Sequence, residues 1–151
     1  YLIVMEKVLV KNRKATFDYE ILDKFEAGIV LLGHEVKSLK NGGGQMQGCF
    51  VSAKNNELWV EHLHIAPYKK STLDVYNPER PRKLLLRKAE IQKIAGALKQ
   101  NGVTLVALSC IAKNGLIKIE FAVGRGKKKY DKRESLKKKD EKRQMQRKER
   151  Y

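Results

Sequence analysis

Between residues 17 and 23 the chain alternates Phe17, Tyr19 and Ile21 with polar neighbours, the period-two pattern of a half-buried strand. After Phe25-Glu26, residues 27–32 run almost wholly apolar and predict a second, more deeply buried strand. Gly33 closes it, and residues 34–40 (HEVKSLK) predict a short helix with Val36 and Leu39 on one face. The triple glycine at 42–44 ends that helix and makes a loop. Residues 50–53 and 57–65 flank Asn55-Asn56, a two-residue hairpin turn, because Asn tolerates positive φ. Pro67, Pro78 and Pro81 keep residues 67–81 irregular. Residues 87–101 place Ile91, Ile94, Ala95 and Leu98 at i, i+3, i+4 and i+7, the best helix of the chain, with Gly102 as its C-terminal cap. Residues 103–112 and 116–123 flank Lys113-Asn114-Gly115, and Asn-Gly between two apolar runs is a strong hairpin signal.

The expected class is therefore mainly β. About six short antiparallel strands with few helices favour a closed or nearly closed barrel, which removes sheet edges, and small barrels of the oligonucleotide-binding (OB) type bind nucleic acid on outer faces and loops. The expected division is an OB-like barrel at residues 1–123 and a tail at 124–151. The tail's large apolar residues are Tyr130, Leu136, Met145 and Tyr151, too few to bury a face, so disorder in isolation is expected. It is nonetheless rich in good helix formers, lacks proline, and offers Asp131 as an N-cap with Glu134 three residues on, so it is helix-competent once a polyanion neutralises it.

Charge sharpens this division. The 151 residues hold 33 Lys and Arg against 17 Asp and Glu, a net +16. The last 28 residues alone hold 14 against 5, a net +9, leaving +7 for the preceding 123. Such an excess is costly to hold on one compact particle unless nucleic acid or an anionic membrane neutralises it. No stretch approaches the ~20 apolar residues of a membrane span, and the apolar opening is too short for a signal peptide, which points to a cytoplasmic protein. Met5 is a candidate natural start. Cys49 and Cys110 stand far apart and at no metal-ligand spacing, as expected of a reduced protein.

Catalytic patterns are missing. His34-Glu35 fails HExxH because Ser38 stands at the second histidine position. Neither residues 42–44 nor 124–127 form a GxxxxGK[ST] phosphate loop, and no nucleophile–base set stands out. His62 and His64 share one face of a strand and read as surface imidazoles without further metal ligands. No enzyme, metal or cofactor is therefore expected. The basic runs are more telling. Residues 80–83 (RPRK) read either as a solvated face or as RNA-facing. Residues 127–133 set Tyr130 among cations, a pattern suited to phosphate neutralisation with one stacking contact, although a localisation-like run or a solubility tail has the same composition.

Four segments stand in order along the chain: FEAGIVL at 25–31, GHEVKSLK at 33–40, RPRKLLL at 80–86 and GRGKKKYDKR at 124–133. Together they resemble the small protein B family, the bacterial partner of transfer-messenger RNA in ribosome rescue. The resemblance runs roughly from Asn12 to the end. It implies an OB-like barrel gripping the tRNA-like domain of that RNA, with Glu26, Leu85 and Lys118 facing it and Lys37, Arg82 and Lys83 as accompanying cations. The residues alone would bury Leu85 and would not single out Glu26. The resemblance also implies a tail helical in the ribosome's vacant decoding site and messenger channel, with Lys127, Lys128, Tyr130, Asp131, Lys132 and Arg133 at its start, and elongation factor Tu carrying the charged RNA as a further partner. Two positions depart from the family pattern. Phe17 stands where many relatives have His, and the loop at 42–47 lacks the basic residue usual there.

Overall fold

The computed structural model describes residues 5–68, 75–127 and 129–149. In chain order the elements are β1 (Glu6–Lys11), α1 (Arg13–Asp18), β2 (Tyr19–Ile29), α2 (Gly33–Lys40), β3 (Gly44–Gln45), β4 (Phe50–Lys54), β5 (Glu57–Glu61), β6 (His64–Ile65), β7 (Arg82–Leu85), α3 (Lys88–Ala97), β8 (Val103–Lys113), β9 (Leu116–Gly126) and α4 (Lys129–Glu149).

Six strands close a ring in the order β8-β4-β5-β7-β2-β9, with β9 pairing back onto β8, every pairing antiparallel. The expected barrel is thus present. β1 adds outside the ring on β8, and β3 pairs with β6. β8 and β9 form the longest ladder, and β9 meets a register shift on each side, at Ala107/Ser109 against β8 and at Ile21/Asp23 against β2. Such bulges bend long strands as closure requires. The opposite seam is slight, because β4 and β8 share the single pair Phe50↔Val106. Inside lie Ala27, Leu58, Val60, Ala107, Ile119 and Phe121, all buried.

Both hairpin turns form as the sequence predicts. Asn55 (φ 52°) with Asn56 (φ 60°), and Asn114 (φ 52°) with Gly115 (φ 80°), take the left-handed conformations of a two-residue turn. Elsewhere the elements differ from expectation. The two strands read at 17–23 and 27–32 are one strand, β2. No turn residue interrupts Lys24-Phe25-Glu26, so the alternation simply continues. Phe17 and Asp18 belong instead to α1, a helix too short to show periodicity, and β1 adds a strand that the apolar pattern does not predict. The strand read at 57–65 breaks at His62, whose φ is 60°. Helix α3 stops at Ala97 rather than 101, and Gly102 (φ 76°) opens the turn into β8 beyond the helix end.

The irregular stretch before β7 is pinned by a buried ionic cluster. Glu35 on α2 is fully buried and accepts from Leu32 N–H at 2.8 Å, Arg80 Nε at 3.2 Å and Arg82 Nε at 2.7 Å, with an additional contact from Arg80 Nη2. The Tyr76 hydroxyl lies 2.9 Å from the same carboxylate and 3.1 Å from Ile65 O. Burial pushes the Glu35 carboxyl up, but the hydrogen bonds from Arg80, Leu32 and Arg82 outweigh it and hold the pKa at about 2. The glycine run packs against the same helix. A Cβ on Gly43 would lie 2.2 Å from Ser38 Oγ and 2.9 Å from Ser38 O, and Ser38 Oγ is itself committed to Ala66 O at 2.6 Å.

Candidate RNA interface

On the outside of the ring, the pairings Gly28↔Leu85 and Gly28↔Lys118 align three residues across β7, β2 and β9. Strand alternation turns Leu84 and Ile119 inward and sends Leu85 and Lys118 out. Leu85 is 55% exposed, an unusual place for a leucine in a barrel wall. Gly28 helps keep it so. A Cβ there would already touch Leu85 Cβ at 3.5 Å, and a longer side chain would cover the leucine.

Two residues before Gly28 on the same face stands Glu26, whose carboxylate lies 3.4 Å from Lys113 Nζ and 3.3 Å from Lys118 Nζ. All three side chains are about one-third exposed. An exposed leucine beside a carboxylate and two ammonium groups offers an apolar platform, hydrogen-bond acceptors and phosphate-sized cations within one patch. Lys83 also points outward from β7 and pairs with Glu57 at 3.1 Å. Lys37 stands on the exposed side of α2, its Nζ 5.8 Å from the Tyr68 ring centre.

Arg82 requires a correction. It is fully buried, with Nη1 donating to Leu63 O at 2.6 Å and Nη2 to Pro78 O at 3.0 Å, in addition to its bonds to Glu35. Alternation along β7 puts Arg82 and Leu84 on the inner side and Lys83 and Leu85 on the outer, so this guanidinium holds the fold together and faces no RNA. Lys113, by contrast, escaped the sequence reading. Its only signal was its place beside the Asn-Gly turn, and its meeting with Glu26 is a contact across 87 residues.

The tail begins at this wall's far end. Lys127 N–H donates to Asp18 O at 2.9 Å and its Nζ to Thr16 O at 3.2 Å, which ties the tail root to α1. Residues 129–149 are helical, as their composition allows, and Arg133 is exposed. Tyr130, Asp131 and Lys132 lie in the first turns of α4; Lys128 lies outside the described residues.

The family model described as SmpB protein matches residues 9–151. The chain belongs to the SmpB family. It is 48% identical to the SsrA-binding protein of Sulfurihydrogenibium sp. (strain YO3AOP1), covering 93% of each chain, and 48% identical to that of Neorickettsia sennetsu, covering 89% of this chain and 92% of the relative. The SsrA-binding protein of Carboxydothermus hydrogenoformans is 44% identical over 94% and 95%. Among solved structures, a chain described under "tmRNA-SmpB: a journey to the center of the bacterial ribosome" superposes with a TM-score of 0.65 at 42% identity, covering 83% of this chain and 92% of that one.

SmpB is a family of RNA-binding proteins rather than a class of enzymes. Among the described residues of this SmpB-family chain, no three His, Cys, Asp or Glu side chains gather as a metal site, and no helix is long and apolar enough to cross a membrane. His62 and His64 both present Nδ1 to Glu79, at 3.9 and 3.8 Å, on the surface. Cys49 and Cys110 are buried free thiols, pushed up to about 12 by burial.

Proposed function

We propose that this protein binds the tRNA-like domain of transfer-messenger RNA and delivers it to stalled ribosomes, acting in the cytoplasm with elongation factor Tu carrying the charged RNA. The observation that carries this reading is the exposed Leu85, aligned through Gly28 with Lys118 and flanked by Glu26, on a chain of the SmpB family whose relatives are SsrA-binding proteins. In the proposed complex Leu85 packs on a splayed loop base, the Glu26 carboxylate accepts from a base edge or a 2′-hydroxyl, and Lys118 and Lys113 meet phosphates. Lys83 and Lys37 add sequence-independent attraction at longer range.

The tail then has a separate task. Anchored at Asp18 and carrying over half of the net charge, the tail at residues 124–151 follows the vacant messenger channel from the decoding site, with Lys127, Lys128, Tyr130, Asp131, Lys132 and Arg133 at its root. A basic helix suits a passage walled by phosphates.

The test is binding to the tRNA-like domain at ~0.15 M and higher salt, with excess bulk tRNA as competitor. Survival of binding with a moderate salt slope supports shape-specific recognition by the barrel. Collapse under both conditions means a general polycation binder. Removing residues 127–151 is expected to leave most of the RNA affinity and abolish activity on stalled ribosomes; loss of both would overturn the assignment of the tail.

A further inference from the structure

Glu26 has a like-charged neighbour across the sheet. The register of β2 on β9 sets Glu120 directly opposite it, on the same outer face of the ring, and both residues are part-buried. Like charges opposed across an antiparallel pair destabilise a sheet. The two carboxylates differ in what they hold. Glu26 takes both nearby ammonium groups, Lys113 at 3.4 Å and Lys118 at 3.3 Å. Glu120 has no ion pair among the described residues and accepts a hydrogen bond from the Ser109 hydroxyl at 2.9 Å.

Proximity along the strand would give a different division. Lys118 and Glu120 stand two residues apart on one face of β9, about 7 Å along the strand, within reach of each other's side chains. Lys118 instead reaches across to Glu26 on β2. Ser109 supplies the reason. It stands opposite Glu120 in the β8–β9 ladder, at the register shift Ala107/Ser109, and is only 5% exposed although it is polar. Its hydroxyl has little water to bond, and the Glu120 carboxylate is its acceptor. That bond draws Glu120 toward β8 and away from Glu26, which leaves both ammonium groups to Glu26.

We propose that Ser109 is a positioning residue of the RNA face. By holding Glu120 over β8, it keeps a competing anion off Lys118, so that Lys118 and Lys113 stay gathered around Glu26. This role rests on the reading of that face as the site for the tRNA-like domain. Ser109 is buried on the neighbouring strand and acts through Glu120 alone. Without its hydroxyl the Glu120 carboxylate loses its donor on β8 and turns to Lys118. Lys118 then leaves Glu26, and its charge is spent on a neighbour instead of an RNA phosphate.

The experiment titrates the full chain and its variants with the tRNA-like domain in gel shifts at ~0.15 M salt. Ser109→Ala is expected to weaken binding about fivefold, the effect of one misdirected charged contact. Glu120→Gln alone is expected to stay within about twofold of the unaltered chain, since it removes the competitor. The double variant Ser109→Ala with Glu120→Gln is expected to return to that level, because no carboxylate is left to draw Lys118 away. Such rescue would not follow if Ser109 served only to pack β8 against β9. Ser109→Thr, which keeps the hydroxyl, is expected to keep the affinity, and thermal melting of each variant reports on the fold separately. Unaltered affinity in Ser109→Ala overturns the proposal, as does a loss that Glu120→Gln fails to restore. Glu26→Gln and Leu85→Ala test the face itself. If both leave binding unchanged, the face is not the RNA site and the role of Ser109 falls with it. If both weaken binding while Ser109→Ala does not, the face stands and only the role of Ser109 is overturned.

Discussion

Two glutamates in this barrel each hold two cations, and they do opposite things. Glu35 and Arg82 are completely buried, with the half-buried Arg80 closing the pair from outside; Glu26 sits with Lys113 and Lys118 at 29% exposure. Around Glu35, guanidinium forks, a tyrosine hydroxyl and a backbone N–H satisfy the carboxylate, so no element of the cluster can leave without stranding a charge out of water. Around Glu26 the ammonium groups lie at 3.3–3.4 Å and water can take their place, so the cluster contributes little to stability and is free to exchange partners. The same composition thus builds a strut in one place and a contact surface in the other. Burial makes the difference.

The strongest way to break this contrast is at the buried cluster. Arg82→Met or Glu35→Gln is expected to destabilise the fold by about 3–5 kcal/mol, read as a shift in urea midpoint. Acid probes the same cluster. Because the Glu35 pKa is lowered in the fold from 4.5 to about 2, its stabilisation is complete above pH 4.5 and is lost as pH falls toward 2. Urea midpoints at pH 3 and pH 7 should therefore differ less in Glu35→Gln than in the unaltered chain.

Gly43→Ala, which drives a methyl into Ser38 beside that cluster, is expected to cost about 1–3 kcal/mol by the same measurement. At the exposed cluster, Glu26→Gln should move stability by no more than about 0.5 kcal/mol, since the pairs it breaks are solvated. Its effect belongs in RNA affinity, where Glu26→Gln and Leu85→Ala are each expected to weaken binding of the tRNA-like domain about tenfold in filter or gel-shift titrations. A Glu26→Gln protein that unfolds easily, or an Arg82→Met protein that does not, would erase the distinction between the two clusters.

Local chemistry made much of the molecule legible. Asn55-Asn56 and Asn114-Gly115 announce their turns because left-handed backbone is a property of those residues themselves. The alternation from Tyr19 onward marks β2 but not its full length to Ile29, since nothing in a pattern of apolar residues says where hydrogen bonding to a neighbour stops. α1 and β1 stay hidden for the same reason: six residues hold too little periodicity to stand out, and both elements exist by packing against β8. The candidate interface was half legible. Residues 80–83 read as one basic run, yet the strand's two-residue period sends Arg82 inside and Lys83 outside. Which parity faces the core depends on where β7 pairs with β5 and β2.

The sequence by itself determined what short-range physics can carry: the two tight turns, the mainly β class, a net charge concentrated in the last 28 residues, and the motifs that mark the family. Only the tertiary structure decided which charges are available. Register across β7, β2 and β9 brings Leu85, Gly28 and Lys118 into one row, and closure of the ring sets Glu26 beside Lys113 while sealing Arg82 against Glu35. Desolvation acts on a group through everything around it in space, and those neighbours come from segments dozens of residues away.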